Sequence, residues 1–170
     1  MANDLIDQLK HTLKKGIEIT LKNNCYGQSL ILIYAAIDAL ANIQRPEKQD
    51  DVLPQDFINW VDKYIKFNSQ EQISPEELYS ARCALLHTFG VESKKTRSGQ
   101  ARLIGYVVGG YPPIRYNAVV NKDLVLLDIL TLADSFNKGL DRFLIDFSGD
   151  IRGKQFIDAR IKKMLAEYPL

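Results

Sequence analysis

The residues best suited to chemistry lie in the stretch ARCALLH, at positions 81–87. Arg82 and His87 stand five positions apart there, in a segment that is otherwise small and apolar. Histidine acts as a general acid or base near neutral pH, and arginine binds a phosphate through parallel hydrogen bonds. On a helix the two side chains would point about 140° apart. They would then flank a groove that one phosphate can occupy.

Further polar residues are expected beside this pair. Tyr79 and Cys83 lie on the same predicted helix face as Arg82. Tyr79 could stack on a nucleic-acid base or pack in the core, and Cys83 is better suited to packing than to nucleophilic catalysis. Asp38 is the single acidic residue in the apolar stretch 29–43. Because a buried carboxylate requires a positive or hydrogen-bonding partner, we expect Asp38 to lie within reach of Arg82. Such a pair would be structural, functional or both.

A basic run follows shortly after His87. The letters KKTR place Lys94, Lys95 and Arg97 there, with Arg102 beyond them. Such runs are typical of solvated loops. Beside a phosphate site, the same residues would contact the backbone of RNA.

Composition and charge limit the possible functions. The formal net charge of +1 provides no global attraction to nucleic acid or membrane, so binding would depend on a local basic patch. Two cysteines and two histidines form neither a disulfide framework nor a zinc ligand set, and no metal or other cofactor is expected. The N-terminus lacks a secretory pattern, and the stretch 29–43 is too short to span a bilayer. We therefore expect a cytoplasmic protein without a membrane partner.

The elements that must position these residues are predicted to be helices. Apolar residues at four-residue intervals predict a helix over 3–22, a nearly all-apolar stretch predicts a second over 26–43, and Pro54 begins a third. SPEE at 74–77 predicts a serine N-cap, a proline at the first helical position and Glu77 completing a capping box. This fourth helix would run to about Phe89 and stop at Gly90. Its expected core stripe is Leu78, Ala81, Leu85 and Phe89.

The pattern changes after the fourth helix. LIGYVV and IRYNAVV, separated by GGYPP, predict a β-hairpin within about 101–120. A long helix is predicted over 122–147 and a last one over 154–167. We expect a single domain over 1–170, mainly α, in which an up-and-down bundle of five or six helices carries a small β-hairpin inserted after the fourth helix.

In these features the chain resembles the HEPN superfamily (higher eukaryotes and prokaryotes nucleotide-binding domain). The likeness rests on ELYSARCALLHTFG at 77–90 with its R-x4-H motif, on the acidic residue of the second helix and on the following insertion. It covers about 1–147 in architecture. Members are all-α, commonly dimeric, and many are metal-independent endoribonucleases. The resemblance implies that Arg82 stabilises phosphate charge and that His87 is a general acid or base, in a homodimer whose two motifs share a cleft.

Three hypotheses remain open from the sequence. The first is a HEPN-like ribonuclease with RNA as its substrate, serving as a toxin with an antitoxin partner or in defence. The second is a non-catalytic module of the same fold that binds RNA, a nucleotide or a protein; Cys83 favours it, because active members often have Asn, Asp or His after the arginine. The third is a structural interaction protein in which Arg82 and Asp38 form only a buried pair.

Overall fold

A computed structural model of the chain describes residues 2–148 and 154–165. Helices dominate these residues, and a small sheet is inserted after the fourth helix, which confirms the mainly-α prediction. The predicted end of the last helix, at 166–167, lies outside the described residues. The elements are α1 Ala2–Lys22, α2 Tyr26–Gln44, α3 Pro54–Tyr64, α4 Pro75–Thr88, α5 Lys94–Arg97, β1 Leu103–Val107, β2 Ile114–Tyr116, α6 Ala118–Asn121, β3 Leu124–Asp128, α7 Ile129–Ser148 and α8 Lys154–Met164.

The central helix of the bundle is α2, which is apolar on nearly all sides. It packs against α1, α3, α4, α7 and α8. Its side chains Ile33, Ile37 and Leu40 are fully buried, and burial of each contributes about 1.5–3 kcal/mol. By length and composition α2 is also apolar enough to cross a membrane, but 50% of its most apolar window is buried inside the protein, as in a core helix.

The start of α4 follows the predicted capping box. Ser74 Oγ accepts the backbone N–H of Glu77 at 3.2 Å, and the Glu77 carboxylate accepts the N–H of Ser74 at 2.8 Å. Glu77 also accepts a hydrogen bond of 2.6 Å from Nε of Arg102, which directly precedes β1. The same carboxylate therefore caps α4 and attaches the inserted sheet to it.

The end of α4 agrees with the prediction to within one residue, but the position of the Phe89 side chain does not. The helix ends at Thr88, and Phe89 adopts the left-handed backbone conformation with φ 53°. This turn directs the ring away from the buried stripe, so Phe89 is 65% exposed and lies beside Gly27 at the start of α2. Assigning Phe89 to the core was therefore wrong. The other predicted members of the stripe, Leu78, Ala81 and Leu85, are buried.

The inserted strands form a three-stranded sheet and do not pair as a hairpin. β3 lies in the middle, parallel to β1 and antiparallel to β2. The predicted pairing is thus wrong, although β1 and β2 both fall inside the range 101–120. The helix predicted over 122–147 is also wrong at its start, because 124–128 forms β3. The run LVLLD is at least half-buried throughout, and an apolar run this short does not distinguish a central strand from a helix.

A buried aspartate marks the boundary between β3 and α7. Asp128 Oδ2 accepts hydrogen bonds of 2.8 Å from both the backbone N–H and the hydroxyl of Thr131. Its Oδ1 accepts the N–H of Gly109 at 2.7 Å. Asp128 therefore caps α7 and holds the turn that follows β1.

A second contact fixes the sheet to the central helix. The hydroxyl oxygens of Tyr34 on α2 and Tyr106 on β1 lie 2.5 Å apart. Burial raises the pKa of both phenols, which therefore remain neutral at physiological pH. Tyr34 lies one helical turn before Asp38, so the sheet is attached to the part of α2 that carries the candidate acid.

Candidate functional site

Arg82 on α4 faces Asp38 on α2. Arg82 Nε and Nη2 lie 2.7 Å and 2.6 Å from the same oxygen, Asp38 Oδ2. The two side chains are 21% and 24% exposed, so the pair is mostly buried but reaches the surface. The prediction that Asp38 reaches Arg82 is confirmed, and the contact forms because α2 packs on α4.

The third nitrogen of Arg82 is not used in the ion pair. Nη1 lies 3.9 Å from the sulfur of Cys83, which is a weak acceptor. A guanidinium carries five N–H groups, and two of its nitrogens already serve a single carboxylate oxygen. Nη1 therefore retains the capacity to donate to a further oxyanion.

Burial and pairing act in opposite directions on the two charges. Burial raises the pKa of Asp38, and the hydrogen bond and charge of Arg82, followed by the charge of His87, limit that rise. For Arg82, burial lowers the pKa, but the hydrogen bond and charge of Asp38 outweigh it and the net shift is upward. Arg82 therefore stays charged, and Asp38 is the member of the pair that gains a proton more readily than usual.

His87 lies in the last turn of α4 with an exposed side chain. Its charge is among the influences that lower the pKa of Asp38. His87 follows Arg82 by five positions, so it lies about 7.5 Å further along α4 and about 140° around the helix axis from Arg82. These three residues are called the Arg–Asp–His cluster below.

Tyr79 lies beside the cluster and between two cations. Its ring meets the buried ring of Phe57 edge-on at 5.6 Å between centroids. Arg82 Cζ lies 6.0 Å and Lys95 Nζ 5.5 Å from the Tyr79 centroid, within the range of cation–π attraction. Burial, and next the Cys83 thiol, raise the pKa of Tyr79. Tyr79 is thus a neutral, half-buried ring that links the cluster to the basic run.

Only part of the predicted basic run reaches this site. α5 is held against α4 by a 2.5 Å hydrogen bond between the hydroxyls of Ser93 and Ser80. Lys95 contacts Tyr79, whereas Arg97 lines a different cleft of about 260 Å³. Lys94 is exposed. Of the three predicted RNA-binding residues, the structure therefore places Lys95 next to the cluster.

Arg102 does not extend the basic surface. Its guanidinium binds Glu71 at 2.9 Å and Glu77 at 2.6 Å, and it lies 4.6 Å from the ring centroid of Tyr116. These contacts neutralise Arg102 and use it to hold the inserted sheet on α4. The expectation that it continues the basic loop is wrong.

Sequence reasoning missed Phe89 as a surface aromatic next to His87. The available signal was Gly90, because a residue in the left-handed conformation often stands at a helix end just before or at a glycine. Phe89 occupies that position and is 65% exposed. It adds an apolar surface at the start of α2, beside Gly27.

The fold and the site define a mainly-α protein in which two packed helices bring an arginine and an aspartate into contact, with an exposed histidine at the end of the helix that carries the arginine. Among the described residues, no three side chains of the metal-ligating types histidine, cysteine, aspartate and glutamate lie close enough to bind one metal ion. Comparison with family models, curated proteins and solved structures finds no match for the chain. The functional argument therefore rests on the chemistry of the site.

Proposed function

We propose that the protein is a HEPN-like, metal-independent endoribonuclease that acts through the Arg–Asp–His cluster. The observation that carries this proposal is the geometry of Arg82, which Asp38 holds through Nε and Nη2. Among the described residues, Nη1 has only the Cys83 sulfur as a partner, at 3.9 Å. A positioned guanidinium with donor capacity left over, on the same helix as an exposed histidine five positions later, is suited to a phosphodiester.

In the proposed reaction His87 takes the proton from a ribose 2′-hydroxyl. The 2′-oxygen then attacks the adjacent phosphorus, and the bond from phosphorus to the 5′-oxygen breaks. Arg82 stabilises the charge that builds on the phosphoryl oxygens. The departing 5′-oxygen takes a proton from a second acid, which leaves a 2′,3′-cyclic phosphate and a 5′-hydroxyl.

The second acid is supplied by a second copy of the chain. Each described cluster contains one histidine, and Asp38 is engaged by Arg82. A homodimer whose two clusters face a shared cleft places another His87 on the far side of the phosphate. Lys95 and Tyr79 then contact the neighbouring nucleotides, and exposed Lys94 and Arg97 add longer-range attraction for RNA.

The cellular setting proposed for this activity is the cytoplasm. A metal-independent ribonuclease would serve as a toxin or in defence, with an antitoxin as a protein partner.

A non-catalytic module that binds RNA or a nucleotide is the second candidate. Cys83 favours it, because the thiol beside Arg82 Nη1 is a weak hydrogen-bonding group where a stronger one would help to orient a substrate. In this case the cluster holds a phosphate without cleaving its ester.

Cleavage of a labelled single-stranded RNA in EDTA tests the proposal. His87→Gln and Arg82→Lys should each lower the rate by about 10²–10⁴. His11→Gln is the matched control, because His11 is the only other histidine and is exposed on α1. Cleavage by His87→Gln at the parent rate would contradict the proposal. Binding of RNA without cleavage would favour the second candidate. A protein that neither binds nor cleaves RNA would indicate that Arg82 and Asp38 form a purely structural pair.

Mixing experiments test the shared cleft. Light scattering should show a dimer, and excess His87→Gln chain should lower the activity of each parent chain, because mixed dimers lack one of the two histidines. If each chain acted alone, the activity of the parent chain would not change. A monomer at high concentration, or a dimer with His87 sealed in a dry interface, contradicts this arrangement.

A further inference from the structure

A second cleft lies between the loop that follows α3 and strand β2. Its volume is about 880 Å³, within the range of about 300–1,000 Å³ that is usual for small-molecule sites. Its walls are residues 68–71 of the loop and residues 111–116 of the turn before β2 and of β2 itself. It shares no lining residue with the Arg–Asp–His cluster.

Two polar atoms in the walls of this cleft have no hydrogen-bond partner among the described residues. They are Ser69 Oγ and Arg115 Nε, and both are shielded from solvent. The hydrogen bond that Arg115 does form is long, 3.5 Å from Nη2 to the carbonyl oxygen of Gly109. The terminal nitrogens of the Arg115 guanidinium therefore retain the capacity to donate to a ligand that offers acceptor atoms.

The charges around the cleft favour a negatively charged ligand. Glu71 in the lining is already bound to Arg102 at 2.9 Å. Within the described part of the chain, no carboxylate forms an ion pair with Arg115. Arg115 is therefore a partly buried cation whose charge the protein does not match, and an oxyanion would match it.

Gly110 lies beside the Arg115 guanidinium. It has φ +105°, and a Cβ there would lie 3.5 Å from Nη2 and 3.6 Å from Nη1, which is ordinary van der Waals contact. The left-handed backbone, and not a lack of space, therefore favours glycine at this position.

An aromatic side chain stands at the rim of the cleft. Tyr111 is 93% exposed, which is unusual for a large ring, and Pro112 and Pro113 follow it in the lining. Such a surface suits a flat apolar group. We propose that the cleft binds a small organic oxyanion, whose phosphate or carboxylate contacts the Arg115 guanidinium and whose planar ring packs on Tyr111. This site is independent of the ribonuclease proposal.

Isothermal titration with phenyl phosphate, inorganic phosphate and benzoate tests this site. Phenyl phosphate should bind more tightly than inorganic phosphate, and benzoate shows whether a carboxylate replaces the phosphate. Arg115→Gln should weaken phenyl phosphate binding by about ten- to hundredfold. Tyr111→Ala should weaken it by about two- to tenfold and leave inorganic phosphate unchanged. Lys138→Gln, which removes the same charge from an exposed position on α7, is the control.

The design separates this cleft from the Arg–Asp–His cluster, which also suits phosphate. Binding that is lost in Arg82→Gln and retained in Arg115→Gln would overturn the proposal, as would a parent protein that binds none of the three probes. If Arg115→Gln does not fold, Arg115→Lys replaces it, because it keeps the charge and removes the guanidinium fork. That variant should weaken phenyl phosphate binding about three- to tenfold, and an unchanged affinity would contradict the assigned contact.

Discussion

Arg82→Ala should destabilise the protein by about 1–3 kcal/mol at pH 7. Removing one partner of a fully buried ion pair costs about 3–5 kcal/mol, because the other charge remains without compensation. Here the side chains of Arg82 and Asp38 are 21% and 24% exposed, so water screens part of the charge left on Asp38 and reduces the cost. Asp38→Asn should cost less, about 0.5–1.5 kcal/mol, because the longer Arg82 side chain can turn toward solvent.

The cost of Arg82→Ala should shrink as the pH falls. Burial already raises the pKa of Asp38, and the variant removes the hydrogen bond and charge that limit this rise. A carboxyl whose folded pKa exceeds its unfolded pKa destabilises the fold above the folded value, and this penalty disappears below the unfolded value. The difference in unfolding free energy between Arg82→Ala and the parent should therefore be largest at pH 7 and smaller at about pH 4.

Urea unfolding followed by tryptophan fluorescence measures these free energies. Trp60 is the single tryptophan and is 1% exposed, so it reports directly on the core. The double variant Arg82→Ala/Asp38→Asn should be more stable than Arg82→Ala alone, because no unpaired charge remains. Two results would show that an unpaired carboxylate does not cause the loss of stability in Arg82→Ala. One is an equal loss at pH 4 and pH 7, and the other is a double variant that is no more stable than Arg82→Ala alone.

Three further predictions concern α4 and the packing of the bundle. Burial raises the pKa of Glu77, but Arg102 outweighs this effect and the net shift is downward. Glu77→Gln should therefore lower the melting temperature at pH 7, and the difference in melting temperature from the parent should disappear below about pH 4. A difference that does not depend on pH would contradict this. Cys83→Asn should raise RNA cleavage in the gel assay if the weak thiol limits the reaction, and an unchanged rate would show that it does not. Gly139→Ala should lower the unfolding free energy in urea by about 1–3 kcal/mol, because its Cβ would lie 2.8 Å from a backbone oxygen at the end of α3. In Gly16→Ala the new Cβ would lie 3.3 Å from a flexible leucine methyl, so this variant should be neutral or stabilising by up to about 1 kcal/mol. Equal costs for the two variants would refute the contrast.

Local chemistry in the sequence predicted how the site is positioned. The serine, proline and glutamate at 74–77 are sufficient to locate the start of α4, because each serves a different need of a helix N-terminus. The partner of Arg82 was predictable as well, since Asp38 is the one acid on an apolar helix and its charge requires compensation. Both predictions follow from rules that involve only a few atoms.

The predictions that failed depend on contacts distant in sequence. The run at 124–128 forms a strand because β1 and β2 bind it from both sides, and its own residues do not reveal this. Once β3 was missed, β1 and β2 had no other partner than each other. Arg102 was assigned to a basic surface for a similar reason, because its acids Glu71 and Glu77 lie 31 and 25 positions away.

The strand order also constrains how the chain acquires its structure during translation. β1 and β2 leave the ribosome before β3, yet in the sheet each of them is hydrogen-bonded to β3. Until residues 124–128 have been synthesised, both strands carry unpaired N–H and C=O groups that can bind other strands. Asp128, which holds the turn after β1 and caps α7, arrives with the last of these residues. The sheet can therefore form only after β3 has been synthesised. A nascent chain that stalls after β2 exposes two unpaired strands, which can aggregate with other nascent chains on the same mRNA.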